Sequence, residues 1–344
     1  MKKTKIVVIG GGTGTAVVLS GLKQYPQLEL TAIVVVSDDG GSTGRLRDEF
    51  GFLPAGDLRQ CLAALATGDN ESLIRDILLY RFSEHSSLAG HNLGNLILTA
   101  LEDLAQQRKD SPARAIEIAS RVFEVAGQVY PISEKPADLV INYQNQQIIG
   151  EKNLDNPNLG GQKIKKISFK KKQKIYHRAA QAIREADLVI LGPGDLYASL
   201  LANTLVEGFA EALQDNLKQG GRFVYILNLM THYSQTHQMS ALDHLLEVKK
   251  YCRRQPDYIL LNKEKVAPHI LKHYASQNEW PVEDNLEQAK KQQMSNLDWT
   301  KLIVQRQQLL STVLVKQDPS HSHSLLRHDK NKLAKAILKI IAQH

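Results

Sequence analysis

A short apolar strand that runs into a cluster of glycines constrains the fold of this chain more than any other feature. Ile6 to Ile9 is a continuous β-branched run, and Gly10 to Gly14 contains four glycines. Such a run is typical of a strand buried in a parallel sheet. A helical pattern from Thr15 to Gln24 and a second apolar run from Leu30 to Val36 follow. Strand, glycine turn, helix and strand predict a Rossmann-like α/β fold, with a doubly wound, mostly parallel sheet and helices on both faces.

The remainder of the chain fits one domain spanning residues 1–344. Further helices are predicted within 57–82, at 95–107 and after Ser111-Pro112, and the capping-box spacing of Thr204 and Glu207 predicts a helix from Thr204 to about Leu217. Strands are predicted at 188–191, 222–227 and 258–261, and 329–342 is predicted to be a closing helix. Short strands between turns predict a small antiparallel β excursion, so we treat 128–178 as a β-rich, Lys-rich insertion.

The positive charge of the chain lies in that insertion. The 43 Lys and Arg residues exceed the 36 Asp and Glu residues by seven, yet residues 152–178 alone carry a net charge of +8. We interpret the run from Lys163 to Lys174 as a solvated face whose buried side is supplied by Ile164, Ile167 and Phe169. Since no nucleic-acid-binding module surrounds it, we predict no nucleic-acid partner.

Cysteine content and hydropathy favour a cytoplasmic protein. Cys61 and Cys252 are far apart, which argues against a disulfide framework or a structural zinc site. The apolar run after the basic N-terminus is too short for a secretion signal, and no run approaches the ~18 residues of a membrane span.

The first glycine turn is a candidate phosphate site. Glycines between a strand and a helix let the backbone approach a phosphate, and the helix N-terminus offers free N–H groups. The candidate residues are Gly11, Gly12, Thr13 and Gly14. The sequence is not a dinucleotide fingerprint, because Thr15 occupies the position of its third glycine, and it is not a P-loop. The alternative is a tight turn without a ligand.

The second candidate loop follows the second strand. It contains the residues Asp38, Asp39, Gly40, Gly41 and Ser42. Two carboxylates at the end of a strand suit a ribose hydroxyl, a Mg²⁺ ion or both, and an acid here is also compatible with a nicotinamide dinucleotide. The alternative is a surface turn, where this composition is common.

Two helix starts supply further polar candidates. Asp57 is expected to cap the helix that it begins, and Arg59 is a candidate phosphate contact. His91, Asn92 and Asn95 lie at the start of another helix, where they could contact a polar substrate, although a histidine is more often a hydrogen-bonded structural residue.

A second glycine turn follows the strand at 188–191. It consists of Gly192, Pro193, Gly194 and Asp195, and it is expected to face the same crevice as the first turn. Asn228 falls at a similar level after the next strand. No nucleophile elbow or metal-binding histidine pair accompanies these loops, so the pattern favours holding phosphates and sugars over breaking a bond.

Taken together, these motifs resemble the gluconeogenesis factor family (the YvcK-like branch), which is related to 2-phospho-L-lactate transferase (CofD-like proteins). The resemblance rests on the following segments: VVIGGGTG at 7–14, SDDGGSTGRLR at 37–47, PAGDLRQCLAALA at 54–66, YRF at 80–82, GHNLGNLIL at 90–98, GPGDLYASLLANTLV at 192–206 and NLMTHYSQT at 228–236. Their spacing matches over almost the whole chain.

The resemblance implies a cytoplasmic regulatory protein needed for growth and normal cell shape on gluconeogenic carbon sources. It also implies a nucleotide-sugar ligand of the UDP-N-acetylglucosamine type, with no required cofactor. Tyr274 and Arg327 match positions associated with that ligand, where an aromatic face would contact the uracil and a guanidinium the pyrophosphate. A regulatory protein partner and a homodimer are compatible with the resemblance.

Other functions remain open at this point. The transferase relatives imply a Mg²⁺-dependent enzyme acting on a nucleoside diphosphate substrate, with Asp38 or Asp39 in the substrate and metal region. An NAD(P)-dependent enzyme is disfavoured by the imperfect glycine fingerprint.

Overall fold

A seven-stranded parallel sheet forms the centre of the computed structural model, which describes residues 2–311 and 326–343. Its strands, in chain order, are β1 (Thr4–Gly10), β2 (Leu28–Val34), β3 (Gln128–Pro131), β7 (Leu188–Leu191), β8 (Arg222–Ile226), β9 (Tyr258–Asn262) and β10 (Ile303–Gln307). They lie in the order β10-β9-β8-β7-β1-β2-β3. The predicted doubly wound, mostly parallel α/β fold is confirmed.

Twelve α-helices are described in the same residues. They are α1 (Gly12–Leu22), α2 (Gly41–Phe50), α3 (Ala55–Leu65), α4 (Glu71–Leu79), α5 (Leu93–Gln107), α6 (Pro112–Val122), α7 (His177–Glu185), α8 (Phe209–Lys218), α9 (Ala241–Cys252), α10 (Pro268–Ala275), α11 (Leu286–Lys291) and α12 (Lys330–Ile341). The closing helix α12 lies against α1: a β-carbon on Gly21 would be 2.2 Å from the carbonyl oxygen of Lys330. Within the described part of the chain, no helix is both long and apolar enough to cross a bilayer.

The antiparallel excursion is shorter than the insertion predicted at 128–178. It is a three-stranded sheet of β4 (Leu139–Asn142), β5 (Gln147–Ile149) and β6 (Lys166–Phe169), in the order β5-β4-β6. β3 lies outside it, because Gln128–Pro131 pairs in parallel with β2 at the edge of the main sheet. α7, from His177, belongs to the α/β layers that follow.

The capping box predicted at Thr204 is wrong. α8 begins at Phe209, after Gly208, and the Thr204 hydroxyl donates back to the carbonyl of Leu201 at 2.7 Å. Positive φ at Gly208 (97°) separates the two segments, a conformation that favours glycine. The described capping box of this kind lies instead at the start of α9, between Ser240 and Asp243.

The lysine-rich run consists of β6 and the residues on either side of it. Ile164 and Ile167 are buried and Phe169 is partly buried, whereas the lysines of the run are exposed, as predicted. The backbone N–H of Ile167 donates to the hydroxyl of Tyr251 at 2.8 Å, near the end of α9. After β6, the N–H of Lys170 donates to the carbonyl of Asp138 at 2.9 Å, so the run remains part of the antiparallel excursion.

A buried carboxyl on α5 makes the stability of the fold depend on pH. Both carboxyl oxygens of Glu102 accept the N–H of Leu53, at 3.1 and 3.2 Å, and burial raises its pKa to about 7. The ordinary value is about 4.3, so the folded protein retains a proton that the unfolded chain has lost between these pH values. The free energy of unfolding should therefore fall as the pH rises through this window.

Glu102→Gln should remove this dependence. We expect the stability of the variant relative to wild type to increase by about 2 kcal/mol between pH 5 and pH 8, since one pKa unit corresponds to about 1.4 kcal/mol. Urea unfolding at both pH values measures the difference, with the exposed Glu211→Gln as control. The same offset from wild type at both pH values would contradict the prediction.

Candidate functional site

The two glycine turns meet where the connections of the sheet reverse direction. β1 pairs in parallel with both β2 and β7, and the chain leaves these strands toward opposite halves of the sheet. In a doubly wound sheet, ligands bind at this switch point, beyond the carboxyl ends of the strands. A β-carbon on Gly14 would lie 2.2 Å from the carbonyl oxygen of Pro193, so the two turns are in close contact.

Arg327 lies at the first glycine turn. Its Nη1 donates to Thr13 Oγ1 at 2.5 Å, and Thr13 is itself exposed. Burial lowers the pKa of Arg327, although arginine remains charged in proteins. The guanidinium thus adds a cation to the rim of the crevice, close to backbone N–H groups of the turn.

Tyr274 is near Arg327, but its ring does not line the crevice. It is 3% exposed and packs with Ile270, Leu310 and Leu326. Its hydroxyl accepts the N–H of Leu326 at 3.0 Å, one residue before Arg327. The ring of Tyr274 is therefore not exposed, as a contact with uracil would require. Its hydroxyl instead helps to position Arg327.

Five carboxyl groups converge on the opposite side of the turns. They are Asp38, Asp39, Asp57, Asp195 and Glu151, referred to below as the acidic cluster. Asp38 accepts the N–H of Gly40 at 2.9 Å and a hydrogen bond from Thr43. Asp195 is exposed, and the other four are partly exposed. The cluster therefore lines a space that a ligand can reach.

Three members of the acidic cluster, Asp38, Asp57 and Glu151, hold protons more tightly than isolated carboxyl groups. Burial, followed by the charges of neighbouring cluster members, raises the pKa of Asp57 to about 7. Burial likewise raises the pKa of Asp38, and burial together with the surrounding carboxylates raises that of Glu151 well above its ordinary value. Like charges at close range disfavour full ionisation. A hydroxyl-rich group or a cation would be favoured at such a site.

Glu151 was not predicted, and it reaches the site from the antiparallel excursion. It follows Gly150, whose φ of 95° turns the chain after β5. Glu151 Oε2 lies 3.4 Å from the Ser37 hydroxyl, and the N–H of Lys152 donates to Asp39 Oδ1 at 2.8 Å. The excursion therefore supplies one wall of the acidic cluster, a role for which its sequence carries no local signature.

Asp57 does not cap its own helix, as had been expected. The residue preceding α3 is Pro54, and no side chain caps that helix. The Asp57 carboxylate instead accepts the N–H of Gly12, in the first turn of α1. A β-carbon on Gly11 would be 2.2 Å from Asp57 Oδ2. Asp57 belongs to α3, and its carboxylate therefore lies at the N-terminal end of a different helix, α1.

The polar residues at the start of α5 form a network around Ser42. The Ser42 hydroxyl accepts from the N–H of Asn92 and from Asn95 Nδ2, both at 3.3 Å, and lies 3.2 Å from His91 Nδ1. With both donors directed at the oxygen, its proton is available to His91. Burial, reinforced by the charge of Arg45, lowers the pKa of His91, which favours the neutral imidazole as acceptor.

Asn92 also caps α5, since its side chain accepts the N–H of Asn95 at 3.2 Å. Arg59 completes the network: its Nε donates to Asn95 Oδ1 at 2.8 Å and its Nη1 to the carbonyl of Leu78 at 3.1 Å. Arg59 is 8% exposed, so these contacts direct the guanidinium to the interior and away from the predicted phosphate position.

A cavity of about 300 Å³ adjoins the second glycine turn at the carboxyl ends of β8 and β9. Its lining includes Leu227, Asn228, Leu261, Val266 and Val282. Asn228 connects the cavity with the turn, because its Oδ1 accepts the N–H of Gly194 at 3.3 Å. Asn228 is therefore the lining residue that joins the wall of the cavity to the second glycine turn.

Any metal ion bound in the crevice would need ligands from the acidic cluster. In residues 2–311 and 326–343, no three His, Cys, Asp or Glu side chains are grouped in a way that could hold a metal. Mg²⁺, however, is usually bound through one or two carboxylates together with phosphate oxygens and water. Asp38 and Asp195 carry oxygens of that kind, which would contact Mg²⁺ only together with a phosphate ligand.

The fold and the site define a Rossmann-like α/β protein with paired glycine turns at the switch point of its sheet. The family described as 2-phospho-L-lactate transferase CofD matches residues 6–302. The gluconeogenesis factor of Bacillus subtilis is 34% identical, with 99% of both chains covered. That of Listeria innocua is 35% identical, with 98% of this chain and 96% of the relative covered.

A solved structure shows the same fold. The crystal structure of a UPF0052 family protein from Bacillus halodurans superposes with a TM-score of 0.85 at 33% identity, covering 98% of this chain and 99% of the other. The chain therefore belongs to the CofD family, in the branch whose members are named gluconeogenesis factors. The resemblance noted from the sequence motifs is confirmed.

Proposed function

We propose that this chain is a nucleotide-sugar-binding regulatory protein that supports growth and cell shape on gluconeogenic carbon sources, with a UDP-N-acetylglucosamine type of ligand. The name of the relatives, gluconeogenesis factor, supports the link to growth on gluconeogenic carbon sources. The observation that carries the ligand class is the position of Arg327, whose guanidinium contacts Thr13 at the first glycine turn. Arginine is well suited to bind phosphate oxygens through two donors at once.

The surroundings of Arg327 supply a place for each part of such a ligand. The 300 Å³ cavity beside Asn228 suits a nucleobase, and Asn228 contacts the second glycine turn, so that a pyrophosphate would meet Arg327 at the adjoining first turn. The acidic cluster lies beyond the turns, and its carboxylate oxygens accept hydrogen bonds from sugar hydroxyls. Base, pyrophosphate and sugar would thus lie along one crevice.

A thermal-shift panel tests the ligand class directly. UDP-N-acetylglucosamine, UDP, GTP, GDP and NAD are compared at equal concentration. At one hundred times its Kd, a ligand that binds the folded state stabilises it by about 2.7 kcal/mol, which raises the melting temperature by several degrees. We expect the largest rise with UDP-N-acetylglucosamine. No rise at millimolar concentration would contradict the proposal, and a rise with NAD alone would favour a nicotinamide-dependent protein.

The acidic cluster favours a second candidate, a Mg²⁺-dependent transferase that acts on a nucleoside diphosphate substrate. Asp38 and Asp195 would hold the metal. Mg²⁺ would neutralise charge on the phosphates during transfer. Turnover of a nucleoside diphosphate compound that requires Mg²⁺ and is lost in Asp38→Asn would support the transferase, whereas binding without turnover would support the regulatory protein.

A regulatory role also requires a component that responds to the ligand. We propose a protein partner in the cytoplasm. Affinity capture with and without UDP-N-acetylglucosamine would identify a partner whose binding depends on the ligand.

A further inference from the structure

The N-terminal end of α1 is already occupied by a carboxylate of the protein itself. Asp57 extends from α3, accepts the N–H of Gly12, and places Oδ2 where a β-carbon on Gly11 would be 2.2 Å away. In proteins with a glycine turn of this kind, the free N–H groups of the helix usually receive a phosphate. Here an internal anion takes one of these donors.

We propose that Asp57 is a specificity-determining residue that disfavours terminal phosphate groups at the first glycine turn and thereby selects ligands whose phosphates are all esterified. This inference rests on the proposed function and names the phosphate chemistry that the same site accepts. A terminal phosphate carries a charge of about −1.5 to −2 near neutral pH, because its second pKa is about 6. Each phosphate of a nucleotide sugar carries one ester bond and one anhydride bond, and therefore a single charge.

The surrounding charges make the extra charge of a terminal phosphate costly. Asp38 and Asp195 act on Asp57 as neighbouring negative charges. Arg327 approaches the turn from its other side, at Thr13, and can bind a singly charged phosphate of a pyrophosphate there. A terminal phosphate needs additional donors, and the N–H of Gly12 is committed to Asp57. The ligand that avoids this conflict has a sugar, and not a free phosphate, directed toward the acidic cluster.

Asp57→Asn separates the charge from the hydrogen bond. The amide oxygen of asparagine can still accept the N–H of Gly12, so the cap of α1 is retained while the negative charge is removed. We expect UDP to bind about tenfold more tightly to Asp57→Asn than to wild type, because like charges at contact distance disfavour each other by at least that factor. The affinity for UDP-N-acetylglucosamine should change less than about threefold. Isothermal titration at pH 8 with EDTA present measures both.

A matched variant controls for the general charge of the acidic cluster. Asp39→Asn also removes one carboxylate, but Asp39 contacts Lys152 and not the glycine turn. It should not reproduce the tenfold tighter binding of UDP that is expected for Asp57→Asn. Asp57→Ser, a shorter neutral residue, provides a second variant if Asp57→Asn does not fold. Equal changes for UDP and UDP-N-acetylglucosamine in the Asp57 variants would overturn the inference.

A binding measurement with inorganic phosphate tests the role of Asp57 independently of the proposed nucleotide-sugar ligand. If wild type binds neither nucleotide, the nucleotide-sugar proposal fails, and the comparison is made with inorganic phosphate alone. Tighter binding of phosphate by Asp57→Asn than by wild type would still support the role of Asp57. Equal affinity, or no binding by either protein, would overturn it.

Discussion

Arg327→Ala should abolish the rise in melting temperature that UDP-N-acetylglucosamine produces. The guanidinium is the cation that the structure places at the first glycine turn, against Thr13. Removing one partner of a partly buried, charge-assisted contact commonly costs about 2–5 kcal/mol, which weakens binding by roughly thirtyfold or more. Thermal shift and isothermal titration of the variant measure the loss.

Two variants make the Arg327 result specific. Arg327→Lys retains the charge but loses the planar donor pair, so we expect a partial loss of affinity. Arg178→Ala removes an arginine that pairs with Glu117 outside the crevice, and it should leave the ligand-induced shift unchanged. A full shift in Arg327→Ala would rule out the phosphate contact.

Gly14→Ala should destabilise the protein and disrupt the site together. Its β-carbon would lie 2.2 Å from the carbonyl oxygen of Pro193, and this backbone atom cannot move without separating the two glycine turns. Overpacking of this kind costs about 1–3 kcal/mol. We expect a melting temperature lower by roughly 5 °C and weaker binding of UDP-N-acetylglucosamine, measured by calorimetry and titration.

Gly40→Ser is the matched control for the effect on stability. Gly40 precedes α2 with φ of −89°, and the nearest neighbour of an added β-carbon, Asp38 Oδ1, would be 3.4 Å away. Serine is favoured at this position, so the melting temperature should stay the same or rise. If Gly14→Ala proved as stable as Gly40→Ser, the close contact of the turns would not be a constraint on the fold.

Central strands were predictable from sequence, and edge strands were not. β1 and β7 are buried on both faces and therefore read as continuous apolar runs. β10 lies at an edge and is only partly buried, so Ile303–Gln307 is mostly polar and gives no such signal. β3 is four residues long and ends in proline, which is tolerated at a sheet edge but weakens the pattern.

The site was predictable where it depends on backbone geometry. The glycine turns follow directly from strands, and φ values of 63° at Gly12 and 87° at Gly192 explain why glycine is required there. Asp57 and Tyr274 were placed in the right region, but their partners come from distant segments. Glu151 had no local pattern at all, because its role arises only when the excursion folds over Asp38 and Asp39.

The contact between Thr13 and Arg327 joins positions 314 residues apart. Proteins are synthesised from the N-terminus at about 5–20 residues per second, and early segments begin to fold during synthesis. Both glycine turns can therefore form on the ribosome well before the cation that completes the crevice has been made. A chain that terminates before Arg327 could fold much of its sheet and yet lack the guanidinium at the first glycine turn. Ligand binding would therefore require that translation has passed Arg327.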